Sequence, residues 1–317
     1  IITIVEQCSV DNTPLKVVGA GHSYNDIFHT GKEGTLLSLE DFKEVEQIDD
    51  KTHQVTVQAG IRLPDLIRQI KAKGLSLSNL GTNEFDNIAG ACSAGYHGSG
   101  IAYGIFVSQI VSMDVVIASG EVKTITNADP EFAAYAVGLG VLGVIVRLTI
   151  QCEPFFNMEV VEKKMAFSEI EAQFDDLLQN NEVFKFIWIP HTEDFMVWLG
   201  NRTSDPELSS LAQKIKSYFY NGVIINNLFH EALLFIASFK RSLVPKINHL
   251  MSRLLLPKEK SVSRWESQWA FFLPHFLKQD VVEYAFPIED TFSVFKELIA
   301  TIKAKNIYVD TPIEVRF

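Results

Sequence analysis

Cysteine is scarce in this chain. There are three in 317 residues, Cys8, Cys92 and Cys152, odd in number and without ligand spacing. That argues against a disulfide framework and against a zinc site, and for free thiols in a reducing, cytoplasmic setting. Basic residues are outnumbered, 28 Lys and Arg against 39 Asp and Glu, for a net charge of −11. Nucleic acid and anionic membrane both demand clustered cations, so this balance points away from either. No apolar run is long enough to span a bilayer. The most apolar region, residues 218–239, is broken by His230 and Glu231 and reads as buried helix, with peripheral membrane contact as the minor alternative. Repeats, low-complexity segments and long linkers are lacking too. The chain has no initiator Met, opens on the helix-like IITIVEQCS and stops at Phe317 within a strand pattern, so it reads as part of a longer protein.

What is present divides near Glu153. Before it, LKVVG, TLLSL, EVEQI and QVTVQA have strand composition between turn residues. LPDLIRQIKAK has helical apolar spacing and a glycine stop at Gly74. QIVSMDVVIA and EVKTI read as a hairpin about Ser119-Gly120, and Asn127 or Asp129 with Pro130 opens a helix, DPEFAAYAV. After Glu153, FNMEVVEKKMAF reads as a strand. Ser168 and Glu171 have capping-box spacing ahead of a helix, and FKFIWIP and DFMVWLG read as strands. Residues 206–257 read as mostly helical. The end reads as strand–helix–strand: VVEYAFP, a helix from about Glu289 to Lys305, and IYVDTPIEVRF.

Five segments carry the chemistry. In VVGAGHSYND an apolar strand meets two glycines and then His22, a turn whose amides can converge on a phosphate. GLGVLG matches a dinucleotide-binding spacing, but a helix precedes it and a strand follows. A close-packed connection is therefore the better reading. GACSAGYHGSG gathers four glycines, two serines and His97, and reads equally as backbone packed on a flat or anionic ligand or as a surface loop. Gly81 of NLGTN reads, by itself, as a turn glycine. TPIEVRF puts Glu314 and Arg316 on one strand face, either as a surface ion pair or as a pair that orients a polar substrate; Ile313, Val315 and Phe317 would face the other, buried side.

In this order GAGHS, VTVQAGIRL, LSNLGTN, NIAGACSAGYHGSG, LGVLGVIVRLTIQCEP, EYAFP and PIEVRF resemble the FAD-dependent aldonolactone oxidoreductases of the vanillyl-alcohol-oxidase type. These include gulonolactone, galactonolactone and arabinonolactone oxidases or dehydrogenases and the related alditol oxidases. The resemblance implies an α+β fold with a PCMH-type FAD-binding domain at 1–153. A substrate, or cap, domain with antiparallel sheet and helices would follow at 154–317. It implies FAD held by Gly19, Ala20, Gly21, His22 and Ser23, with His22 as covalent tether. Ser93, Gly95, His97 and Gly98 would line the cofactor, joined by Gly143 and Ile145, with Gly81 and Thr82 at its oxygen-reactive edge. Glu314 and Arg316 would serve a sugar-acid 1,4-lactone, oxidised by hydride transfer to flavin N5, with O2 giving hydrogen peroxide. An alditol oxidase, a lactone dehydrogenase with another acceptor, and a non-catalytic FAD-binding fragment are the alternatives. Tyr96 departs from the family, which has a small or hydroxylated residue there. The family's His-Trp-Gly-Lys segment would lie beyond Phe317.

Overall fold

Apolar spacing and turn residues account for most elements in a computed structural model of the chain, which describes residues 1–23, 25–205, 207–272 and 281–317. Two units form, one from Ile1–Gly98 with Tyr103–Phe155, the other from Ser99–Ala102 with Phe156–Phe317. The first unit begins with helix α1 (Ile2–Val10). Strands β1 (Leu15–Val18) and β2 (Thr35–Ser38) then pair in parallel. Strands β3 (Val45–Asp49) and β4 (Gln54–Gln58) form a hairpin. Val55 and Val57 of β4 are fully buried, as their alternation dictates. Helix α2 (Leu63–Lys71) buries Leu63, Leu66, Ile67 and Ile70 on one stripe, and Gly74 follows at φ +70°.

After β5 (Leu75–Ser76) and α3 (Ile88–Ser93) come β6 (Ile110–Val116) and β7 (Val122–Thr126), turned by Gly120 at φ +83°. Short α4 (Phe132–Ala136), β8 (Val144–Gln151) and β9 (Glu153–Pro154) complete the unit. Its main sheet has the order β3-β4-β8-β6-β7, all antiparallel. The helix expected from Asn127 or Asp129 starts later, with Glu131 at its N-cap. The Asp129 carboxylate instead accepts from the Thr126 amide at 2.7 Å, closing a turn behind it.

The second unit is a five-stranded antiparallel sheet with helices. Strand β10 (Asn157–Met165) leads to α5 (Phe167–Ala172) and α6 (Phe174–Gln179), then β11 (Val183–Trp188) and β12 (Phe195–Thr203). Helix α7 (Leu211–Ile215) continues through a π-helical segment, Lys216–Phe229, into α8 (His230–Phe239). Helix α9 (Val244–Leu255), strand β13 (Ser261–Glu266), helix α10 (Thr291–Ala304) and strand β14 (Ile313–Arg316) follow. The sheet order is β13-β10-β12-β11-β14. One face is an aromatic core in which Phe184, Phe186, Trp188, Phe195 and Val197 pack with Phe295 and Ile302 of α10, and Ile313, Val315 and Phe317 join them. The side chain of Ser99 closes the edge: its Oγ donates to the Phe184 carbonyl at 2.5 Å and accepts from the Phe317 amide at 3.1 Å.

Three sequence expectations are corrected. Residues 281–287 form no strand, and Val281, Val282 and Tyr284 are exposed. The cap ahead of α5 uses Glu169, whose carboxylate takes the Ala166 amide at 3.0 Å, rather than Ser168 and Glu171. Most consequentially, the apolar region lies in a longer helix, Leu211–Phe239, which by length and composition is long and apolar enough to cross a membrane, and it is not buried: Phe219, Leu228, Phe235, Ile236 and Phe239 are all exposed.

Candidate functional site

Strand β1 ends in a turn at residues 19–23 shaped by its glycines. Gly21 sits at φ +75° facing open space. A Cβ on Gly19 would lie 2.5 Å from Oδ1 of Asn87, and one on Gly90 would strike the same oxygen. Asn87 caps α3, accepting from the Gly90 amide at 2.8 Å. The turn is therefore seated against the start of that helix. Among the described residues, the amides of Ala20, Gly21, His22 and Ser23 donate to no backbone carbonyl. Such a row of donors suits a pyrophosphate, and a Cβ at Gly21 would meet backbone strain. Tyr24, in the same stretch, lies outside the described residues.

The His22 ring stacks on Phe85, centroids 6.0 Å apart. Burial, and then the Arg62 charge, hold its imidazole below the ordinary value, so the ring is neutral near pH 7 and one nitrogen keeps its lone pair. Arg62 is fixed by donating from one terminal nitrogen to the Phe85 carbonyl at 2.9 Å. Beside it the Asp86 carboxyl is pushed up to about 7 by burial, against the pull of Arg62. Neither Arg62 nor Asp86 belongs to the five segments that carry the chemistry.

Two glycine motifs distant in sequence meet here. A Cβ on Gly81 would lie 2.6 Å from the His97 carbonyl and 2.7 Å from the Tyr96 ring; one on Gly98 would strike the Asn79 side chain and Leu80 carbonyl. Tyr96 donates from its hydroxyl to the Asn83 carbonyl at 2.9 Å, and Gln109 ties the Asn79 carbonyl to the Ser78 amide. A side chain at Gly81 would therefore run into Tyr96, the residue that departs from the family pattern. Thr82 and His97 are half-buried in the same pair of loops, and Gly95 turns at φ +68°.

The carbonyl of Ser93 accepts from the Leu139 amide at 3.2 Å, which draws the GLGVLG connection to the end of α3. That connection lies between α4 and β8, so it lacks the strand–turn–helix setting of a Rossmann loop. Gly143 packs so closely on β6 that its Cβ would lie 2.6 Å from the Val116 carbonyl, and the Ile145 side chain is buried in the sheet.

In the second unit Glu314 and Arg316 share one strand face, and the sheet register adds what order alone concealed. Arg316 lies across from Lys185, which lies across from Trp198, which lies across from Glu162. Glu314 accepts from Nε of Arg316 at 3.0 Å and from a terminal nitrogen at 2.6 Å, while Lys185 Nζ reaches its other oxygen at 2.7 Å. Lys185 is 6% exposed and sits 5.2 Å from the Trp198 ring centroid. Burial pushes the Glu314 carboxyl up, but Lys185 and then Arg316 outweigh it and hold the group at about 2. Glu162 is shifted the other way, raised by burial with only Lys185 opposing. The overlooked signal was a lysine inside the apolar run FKFIWIP.

The chain matches two family models: the FAD binding domain over residues 1–126 and D-arabinono-1,4-lactone oxidase over residues 148–317. It is 35% identical to L-gulonolactone oxidase of Scyliorhinus torazame, covering 99% of this chain and 70% of that enzyme. It is 30% identical to D-arabinono-1,4-lactone oxidase of Saccharomyces cerevisiae, covering 100% of this chain and 62% of that enzyme. Among solved structures, cholesterol oxidase from Brevibacterium sterolicum superposes with a TM-score of 0.80 at 16% identity, covering 99% of this chain and 66% of that one. At that identity the likeness is one of fold.

Proposed function

The chain belongs to the D-arabinono-1,4-lactone oxidase family, and we propose that it carries out the flavin-dependent oxidation of a sugar-acid 1,4-lactone with O2 as acceptor. FAD binds to the first unit, and the second supplies the residues that hold the lactone. The observation that carries this reading is the Lys185–Glu314–Arg316 constellation, with Lys185 buried and the other two half-buried, within the stretch matched by the lactone oxidase model.

Held by the first unit, FAD would supply the redox chemistry, hydride acceptance from the substrate's CH–OH carbon and reoxidation by O2 to hydrogen peroxide. The protein's share is position and charge. The open amides of residues 20–23 hold the pyrophosphate, and Gly81, Thr82, Ser93, Gly95, His97, Gly98, Gly143 and Ile145 belong to the loops and strand that frame the cofactor. His22, neutral and with a free lone pair, is the nitrogen that tethers it.

Arg316 donates to a lactone oxygen, its plane fixed by the two bonds to Glu314. A carboxylate held at about 2 accepts hydrogen bonds but is too weak a base to remove a proton near neutrality, so Glu314 orients and does not deprotonate. Lys185 keeps Glu314 ionised and raises the positive potential where the hydroxyl oxygen sheds its proton.

Two measurements test the reading. Anaerobic mixing with a panel of 1,4-lactones and alditols bleaches the flavin with lactone; bleaching by alditols alone, or by neither, overturns the substrate assignment. Acid precipitation leaves the yellow colour in the wild-type pellet and releases it from His22→Ala, and complete release from the wild type removes the tether.

A further inference from the structure

Lactone oxidation leaves one hydrogen without a destination: the substrate hydroxyl must lose a proton as its carbon loses hydride. Glu314, held at about 2, is too weak a base to take it. The sheet register brings a second carboxyl to the same face. Glu162 of β10 stands in the row Glu162–Trp198–Lys185–Arg316, and Glu314 lies two residues from Arg316 along β14.

Depth on that face is graded. Trp198 and Lys185 form a buried floor, while Glu162 on one side and Glu314 and Arg316 on the other are half-buried. Gly200 makes room for the floor, since a Cβ there would lie 2.8 Å from the Trp198 ring. Three strand spacings, about 14 Å, separate the backbones of Arg316 and Glu162. With side chains reaching inward from both walls, the remaining span is on the scale of a five-membered lactone ring.

Glu162 differs from the charged residues around it in having no partner. On β10, Glu159 pairs with Arg264 at 3.0 Å and Lys164 pairs with Asp194. Glu162 receives no hydrogen bond and joins no ion pair among the described residues. A half-buried carboxyl left without a donor is costly unless it has a use. Burial raises it above the ordinary carboxylate value, and Lys185 pulls the other way. Its same-face neighbours on β13, Ser261 and Ser263, carry no charge. The face therefore holds two carboxyl groups of opposite character, one fixed as an anion and one able to accept a proton.

We propose, resting on the lactone oxidase reading, that Glu162 is the general base of the reaction and takes the substrate's hydroxyl proton across from Arg316. The substrate O–H bond breaks and an O–H bond forms on Glu162. The electron pair left on oxygen becomes the second bond of the carbonyl, and the pair of the breaking C–H bond leaves with the hydride for flavin N5.

Anaerobic flavin reduction in the flavin-loaded full chain tests it, driven by whichever of L-gulono-1,4-lactone and D-arabinono-1,4-lactone bleaches the wild type. Glu162→Gln slows reduction by about 10²–10⁴-fold, the usual loss of a general base. Flavin content and lactone Kd stay at wild-type values, which shows that fold and binding are kept. Glu162→Asp retains an intermediate rate. Glu162→Ala is as slow as the glutamine variant but speeds up in proportion to added formate or acetate, and chloride at equal ionic strength has no effect. A merely structural role would not give that rescue. The proposal is overturned by Glu162→Gln reducing at the wild-type rate, or by slow variants that neither carboxylate restores, which assign Glu162 to positioning. Wild type that neither lactone bleaches fails at an earlier step: it removes the lactone reading, and the proposal with it.

Discussion

The turn at residues 19–23 and the face of β14 are both built to meet polar ligands, but from different material. The turn offers backbone amides, and its specificity lies in what is missing: side chains at Gly19 and Gly21. The β14 face offers side chains, and its specificity lies in register, which sets Arg316, Lys185, Trp198 and Glu162 in one row across four strands. A backbone site tolerates little change of shape and much change of charge. A side-chain site on a rigid sheet does the reverse.

Substitutions can break or sharpen that contrast. The largest effect is expected at Arg316→Ala, which slows lactone-driven flavin reduction by about 10²–10³-fold, the usual loss when one donor to a developing oxyanion is removed. Flavin content stays unchanged; a normal reduction rate would make Arg316 an ordinary ion-pair partner. Lys185→Met acts more indirectly. It removes the neighbouring charge that does most to hold Glu314 at about 2, so the acid limb of the reduction rate moves up toward the ordinary carboxylate range. An unmoved limb would separate Lys185 from the site.

Gly81→Ala tests the backbone side. The added methyl meets the His97 carbonyl and the Tyr96 ring, so the melting temperature drops by an amount corresponding to about 1–3 kcal/mol of overpacking. A variant of wild-type stability that merely reoxidises more slowly in O2 would restore an open space at Gly81. The last substitution, at Asp86, is read through pH. Its folded value, about 7, lies above the ordinary 3.8, so the folded state binds the extra proton. Its contribution to stability is therefore full below about 3.8 and is lost as pH rises through about 7. Asp86→Asn should gain in melting temperature relative to wild type between pH 5 and pH 8; a constant difference would rule out the buried carboxyl as cause.

The same contrast explains what was legible in the sequence. Glycine motifs read well because their meaning is local: Gly74 stops a helix and Gly120 turns a hairpin wherever they are found. Glu314 and Arg316 were visible as a same-face pair for the same reason. Lys185 was not, because its role depends on which strand neighbours β14, and pairing is fixed by the whole sheet. Gly81 is visible as a glycine, but its neighbour Tyr96 comes from another loop, so what packs against it is not legible from residue order. The exposed helix was misjudged because apolar composition alone does not say which face is covered.

The strap at Ser99 sets a clock on folding. Its hydroxyl bridges the Phe184 carbonyl and the Phe317 amide, and the latter partner lies 218 positions downstream. During synthesis at 5–20 residues per second, the strap waits on the order of 10–40 s before β14 exists to receive it. Through that interval the edge of the second unit's sheet stands open, with Phe184 and Phe186 awaiting Val315 and Phe317. In a vectorially made chain the aromatic core therefore seals only after β14 has been synthesised, in a step that closes a long loop.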